Sequence, residues 1–387
     1  MILLDKPYVS QFLKDTISKY NIPAIDTGDV IKNGEISLAS SNEIIQQFKN
    51  EPNSRLYTNS ENSINWVINN LAFTKLPEYI NLFKDKVEFR KLMKSIYPDF
   101  FFKEISLQDL DQLDLKELPM PFIIKPAVGF LSLGVHKVVN VQEWFKVKEE
   151  ILKEFTDAKA VFPIEVVNAS SFIIEEVIEG DEFAFDAYFD ENGEAVILGI
   201  SKHLFASEKD VSDRVYYTSK ELIQTYLSQF TQFVEALGKQ ADIRNFPVHI
   251  EVRVDDNEKL VPIEVNPMRF GGWCTTADLT NKATGLNPYH CFLNNIQPDW
   301  DETLNEMDED IYSLIILDNS TGVPVEDILK FDYEKLLKQF SNPLELRKTD
   351  YETYSIFGML FTQSKKVDFI EIENILTSRL KEFVVQK

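Results

Sequence analysis

The chain has 387 residues, 44% of them hydrophobic, enough for a sizeable core divided over two or three domains. It carries 63 acidic against 40 basic residues, a formal net charge of -23, and a surface of that sign repels nucleic acid and anionic membranes alike. Its two cysteines, Cys274 and Cys291, belong to no CxxC pair, which argues against a disulfide scaffold or a zinc ribbon and fits a reducing cytoplasm.

The first residues lack the basic and apolar regions of a secretory signal. No uncharged apolar stretch approaches the roughly 20 residues that span a bilayer. The expectation is a cytoplasmic globular protein. Residues 2–5 read as a short buried strand; Val9, Phe12, Leu13 and Ile17 then share one helical face, and residues 22–25 form a second strand. This β-α-β rhythm continues to about residue 82 and predicts a small α/β domain. It holds no GxGxxG, so nothing there points to a dinucleotide.

Asp85 opens a helix with Phe89, Leu92, Met93 and Ile96 in register, stopped by Pro98. Strands follow at 121–124 and 134–139, then a helix around 144–155. Further strands are expected at 172–176, 182–189 and 195–200, with a turn at Asp190-Glu191-Asn192-Gly193. Thr218 and Glu221 have capping-box spacing ahead of a long amphipathic helix, and Gly238 is placed to cap its end. Strands at 248–254 and 260–265 flank a polar turn. From about residue 311 the pattern runs strand, helix, strand, helix, a separate small α/β unit.

Three features carry chemistry. In the pair of strands around the polar turn, His249, Glu251 and Arg253 alternate with apolar residues, and so do Glu264 and Asn266. Folding the hairpin can bring Glu251 opposite Glu264 with Asn266 beside them. Two carboxylates and an amide are hard oxygen donors suited to Mg²⁺, and two adjacent carboxylates repel unless a cation neutralises them. Taken alone, the same acids fit a solvated hairpin face.

The second feature is Lys125, which ends an apolar strand ahead of the loop 127–133, where backbone N–H groups can cradle phosphates. Gly129 and Gly134 have P-loop spacing, but Val135-His136 stands where Lys-[Ser/Thr] is required, so a Walker site is rejected. The third is 172–182, an apolar strand ending in Glu175, Glu176, Glu179, Asp181 and Glu182. A nucleotide base could pair with its backbone, or it is a plain acidic turn. Lys202-His203 and Asp213-Arg214 lie in a segment too polar for the core, which could contact phosphates or substrate but reads first as a solvated loop. Trp273, Cys274, Thr275 and Thr276 either line a pocket or belong to the core.

In their order and spacing these features resemble the ATP-grasp superfamily, from about Asp85 to Gly272, with a weaker likeness of residues 1–82 to the small domain that usually precedes it. The resemblance implies an α/β (α+β) ATP-grasp fold in three parts: an N-terminal domain at 1–84, an ATP-grasp domain at 85–300 with a lid at about 118–176, and a small C-terminal unit at 301–387. It implies ATP and Mg²⁺, or Mn²⁺ in its place. Lys86 and Lys125 would contact phosphates, under a loop carrying Gly129 and Ser132. Glu175, Glu176 and Ile178 would hold adenine and Glu182 ribose. Glu251, Glu264 and Asn266 would bind the metal, the two acids thirteen residues apart as in the ligase members.

The family's Asn-Pro-Arg is one residue longer here, Asn266-Pro267-Met268-Arg269, and the catalytic arginine is carried over to Arg269. Such proteins join a small-molecule carboxylate to an amine through an acyl phosphate, releasing ADP and phosphate, and a homodimer is common among them. Two other readings stay open: activation of bicarbonate, and a catalytically silent ATP-binding regulator.

Overall fold

The computed structural model describes residues 1–32, 34–128, 134–158, 171–207, 210 and 212–387. Strands β1 (Ile2–Leu4), β2 (Ala24–Asp26) and β3 (Tyr57–Thr58) form a parallel sheet in the order β2-β1-β3. Parallel strands need crossover segments, and α1 (Gln11–Tyr20) and α2 (Ser41–Asn50) supply helices for them. Each begins at a serine whose hydroxyl accepts a first-turn N–H, Ser10 from Leu13 and Ser40 from Glu43. Ile2, Leu3 and Leu4 are all buried, as befits a strand covered on both faces.

Helices α3 (Ile64–Asn70), α4 (Leu76–Lys84) and α5 (Lys86–Met93) lead to a second, antiparallel sheet. It consists of β4 (Phe102–Ser106), β5 (Phe122–Pro126), β6 (His136–Val138) and β7 (Ser171–Glu176), in the order β4-β7-β5-β6. Helix α6 (Val141–Ala158) packs on it through Trp144, Val147 and Ile151. This helix starts three residues before its apolar periodicity does. Polar side chains set that start: Asn140 accepts the Glu143 N–H, and Glu143 accepts the Val139 N–H.

The central sheet contains β8 (Asp181–Phe189), β9 (Ala195–Leu204), β10 (Val215–Ser219), β11 (Phe246–Val254), β12 (Leu260–Pro267) and β13 (Ile311–Asp318). After β14 (Ile328–Phe331), which pairs instead with β17 (Val384–Gln386), come β15 (Pro343–Lys348) and β16 (Ile356–Ser364). The order is β12-β11-β8-β9-β10-β13-β16-β15. The C-terminal segment, expected as a unit by itself, thus adds three strands to the central sheet. It also keeps a core of its own, with Ile315, Leu336, Phe357 and Ile372.

Helix α7 (Lys220–Ala241) covers the central sheet, with Phe230 stacked on Phe185 at 4.7 Å. Its start differs from the expected capping box. Ser219, one residue on, accepts the Leu222 N–H at 3.2 Å, while the buried Thr218 hydroxyl has no partner among the described residues. Gly238 does not end the helix. It lies within it because a Cβ there would sit 2.8 Å from the Phe189 ring, and Asp242 makes the left-handed stop. Among the described residues no helix is long and apolar enough to cross a membrane.

Candidate active site

Strands β11 and β12 pair so that Glu251 faces Glu264 and His249 faces Asn266. Directly opposed residues of an antiparallel pair share a face, so the acids and the amide converge as the alternation predicts. Asn266 donates to Glu264 Oε1 at 3.1 Å. The register slips beyond Glu251, where Val252 pairs with Pro262 and Ile263 is left over. A proline that cannot donate to the ladder favours such a bulge. On the other side of β11, Glu251 faces Ala184 of β8, a small side chain that leaves room above the acids.

The two side chains stay open to the cleft, 27% exposed for Glu251 and 31% for Glu264. Their electrostatics differ. Burial, and then the charge of Glu264, push Glu251 well above the usual carboxylate range. Burial also opposes ionisation of Glu264, but Lys86, Lys125, the Asn266 amide and Arg269 outweigh it and hold that group low. Among the described residues the ion-pair partner of Glu251 is the His249 ring, Nε2 at 3.7 Å from Oε1, with no Lys or Arg paired to it; two carboxylates and an amide oxygen so placed fit a hard divalent cation. Among the described residues no three His, Cys, Asp or Glu side chains converge on a metal position; the donor set here needs the amide.

Lys86 is the first residue of α5. Asp85 caps that helix by accepting the Val87 and Glu88 N–H groups, and the Lys86 N–H donates to Ala127 O at 2.8 Å. The helix start is thereby tied to the beginning of the loop after β5. Lys86 Nζ lies 3.5 Å from Glu264 Oε2. Lys125, on the strand that leads into that loop, is buried, and its Nζ lies 2.8 Å from Glu175 Oε2. Burial pushes the ammonium below its ordinary value despite Glu175. Burial would raise Glu175 too, but Lys125 and Arg90 bring it down to about 2.

Glu175 therefore sits where its strand was expected to meet adenine, yet its carboxylate is spent on two cations. Glu176 pairs by its backbone N–H with Phe101 O, and its carboxylate accepts the Phe101 N–H. The Ile178 carbonyl accepts from Arg253 at 2.9 Å, and among the described residues its N–H has no hydrogen-bond acceptor. The chain then turns at Gly180, φ +108, where a Cβ would meet Val254 O at 2.3 Å. Glu182 is held by His203 Nδ1 at 2.8 Å and by Arg253 at 3.0 Å.

Burial of His203 and Arg214 corrects the reading of Lys202-His203 and Asp213-Arg214 as solvated. The imidazole stacks on Tyr216 at 4.2 Å, and Arg214 is buried against Asp318 of the C-terminal segment. Lys202 does stay near the surface, paired with Asp181.

The extra residue before Arg269 has a visible consequence. Met268 takes a left-handed conformation, φ +68, uncommon outside glycine. Its N–H donates to Pro247 O and its carbonyl accepts from Thr58. The insertion is thus absorbed as a kink, and Arg269 donates to Glu61 Oε1 at 2.7 Å and 3.1 Å. Lys84 pairs with the same Glu61; burial resists, but the two cations hold that acid at about 2. Gly129 and Ser132 fall outside the described residues.

Of Trp273, Cys274, Thr275 and Thr276, only Trp273 is partly exposed. Trp273 meets Tyr354 edge-on at 5.0 Å. Trp273 and Cys274 are both left-handed, and burial raises the Cys274 thiol to about 11, which leaves it no nucleophile.

Arg90, Glu61 and Asp186 were not singled out in the sequence. Asp186 is buried, facing His249 across the β8–β11 ladder and bonded to its Nδ1 at 2.7 Å. Arg90 had a faint local signal: an arginine at i+4 from Lys86, among the buried positions Val87, Phe89 and Met93.

Comparisons with known proteins bear on the fold. Residues 118–277 match the ATP-grasp domain family. No curated protein matches by sequence. Among solved structures, L-amino acid ligase from Bacillus licheniformis superposes with a TM-score of 0.68 at 17% identity, over 100% of this chain and 98% of that one. Biotin carboxylase from Campylobacter jejuni gives 0.64 at 14%, over 100% and 92%. Phosphoribosylglycinamide synthetase from Anaerococcus prevotii gives 0.58 at 15%, over 100% and 98%. Residues 118–277 thus form an ATP-grasp domain, and over its whole length the chain shares the fold of these structures.

Proposed function

We propose that this protein is an ATP-dependent ligase that activates a carboxylate and joins it to an amine. The observation that carries the reading is the meeting of Glu251, Glu264 and Asn266 with Lys86 at one cleft, within reach of the charges of Lys125 and Arg269. A functional parallel is the L-amino acid ligase, whose fold this chain shares over its full length.

The division we propose is 1–84, 85–300 and 301–387, with 118–176 as a lid over the nucleotide. ATP would lie between the lid and the central sheet, adenine against the Ile178 backbone and ribose on Glu182. Mg²⁺ or Mn²⁺, when bound by Glu251, Glu264 and Asn266, would neutralise phosphate charge and act as a Lewis acid. Lys86 and Lys125 bind and orient the phosphates, and Arg269, held by Glu61, faces the transferred group. A substrate carboxylate oxygen bonds to the γ-phosphorus as the bond to ADP breaks. The amine nitrogen then attacks the acyl carbon, phosphate leaves with the bonding pair, and the amine gives up a proton. No side chain forms a covalent bond; positioning and charge neutralisation supply the rate.

The test is phosphate release from ATP across pairs of carboxylates and amines, with product mass as confirmation. A ligase shows release that depends on both partners. Release with bicarbonate alone would replace the ligase reading with a carboxylating one, and ATP binding without any release would replace it with a silent regulator.

A further inference from the structure

We propose that Arg90 is a positioning residue for the nucleotide's phosphates, acting through Glu175 on Lys125; this rests on the reading that the cleft binds ATP. Arg90 lies on α5, whose neighbours Phe89 and Met93 are anchored in the main core. Its guanidinium is buried and uses three nitrogens. Nε donates to Glu175 Oε1 at 2.5 Å, Nη1 to Pro262 O at 2.8 Å and Nη2 to Ile263 O at 3.4 Å. Its flat face lies 4.4 Å from the Phe100 ring centre.

Two consequences follow. The carboxylate of Glu175 is divided, one oxygen to Arg90 and the other to Lys125, so it cannot rotate without losing both. Pro262 and Ile263 immediately precede Glu264, and the bulge at that point belongs to the acid-bearing strand. One guanidinium thus joins the strand that carries the lysine partner to the strand that carries the metal acid. A lysine, with a single donor nitrogen, cannot span these acceptors.

The charge count gives the second consequence. Arg90 and Lys125 are two cations around one anion, so the buried cluster keeps one positive charge. Without Arg90, Lys125 and Glu175 cancel, and this cluster no longer adds to the pull of Lys86 on a phosphate. A buried pair of that kind is neutral to an incoming anion, whereas an excess cation in a low-dielectric site is a strong one.

Calorimetric binding of ATP, ADP and adenosine to the full chain tests this, since adenosine has no phosphate to sense Lys125. Arg90→Met is expected to weaken ATP and ADP by about tenfold or more, the range for a lost hydrogen bond to a charged group. Adenosine should stay within about twofold, and in a Lys125→Met background the Arg90 change should add almost nothing, as for coupled residues. Equal loss of adenosine and ATP, or a full additive loss in the Lys125→Met background, would overturn the proposal. Should Arg90→Met not fold, Arg90→Lys serves: selective loss of ATP over adenosine supports the proposal, and parallel loss or no change overturns it. Failure of the unaltered protein to bind ATP would instead remove the nucleotide reading itself.

Discussion

The hairpin β11–β12 and the paired strands β5–β7 both bring charge to the same cleft, but they leave it in different states. At β5–β7, Lys125 and Glu175 are matched oxygen to nitrogen with each other and with Arg90 of α5 at 2.5–2.8 Å, in a site almost closed to solvent. On the hairpin, Glu251 and Glu264 face each other, and Glu251 is driven up by burial and by its neighbour's charge. A completed ion cluster in a low-dielectric setting fixes geometry. An incomplete one costs stability until a cation arrives. The difference separates a side whose shape is fixed in advance, with one positive charge to spare, from a side that needs a cation to complete it.

The sharpest way to break that comparison is Glu264→Gln. If the hairpin is the ligand-taking side, ATP turnover with a competent carboxylate and amine should fall on the order of 10²–10³-fold, the usual effect of losing one electrostatic partner. Unchanged phosphate release would put the divalent ion elsewhere.

The matched cluster makes a comparably large prediction about pH. Glu175 lies at about 2 against an ordinary 4.5, so its contribution to stability is present above about pH 4.5 and is lost as pH falls toward 2. The contribution is on the order of 3 kcal/mol. Urea unfolding between pH 6 and pH 2.5, bounds set roughly by that window, should show a shallower decline for Glu175→Gln than for the unaltered chain. Parallel curves would mean that the cluster is not ionised as described.

The smallest effect is the most discriminating. Glu251 is shifted in the opposite direction, so in the metal-free protein its ionisation opposes folding as pH rises through its raised value. Glu251→Gln should therefore raise metal-free stability near neutral pH, while shrinking the stabilisation that excess Mg²⁺ gives the unaltered chain. Thermal melts with chelator and with Mg²⁺ read both numbers. A variant that is less stable without metal would show that Glu251 has a partner other than a cation.

Much of this site was legible in the sequence because its signals are local. The alternation of His249, Glu251 and Arg253 is a period-two pattern, and a hairpin turn converts it into facing acids without outside help. Asp85 announces a helix start by its own hydrogen bonds, and that start fixes Lys86. Errors of one residue, as at Thr218 and Ser219, arose where two adjacent hydroxyls could each cap and only packing chose between them. The larger misses were long-range. Arg214 and His203 look solvent-bound from their neighbours in sequence, and only partners such as Asp318 and Glu182 bury them.

The sequence by itself determined the hairpin that sets Glu251 opposite Glu264, the helix start that carries Lys86 and the strand that carries Lys125, since each depends on residues close together in the chain. Tertiary structure alone decided that the C-terminal strands extend the central sheet and that Arg269 turns to Glu61. It alone also decided that Arg90 meets Glu175 and Pro262, 85 and 172 residues away. Contacts over such separations have no periodicity to betray them; they exist only once the chain has paid the entropy of closing the loops between them.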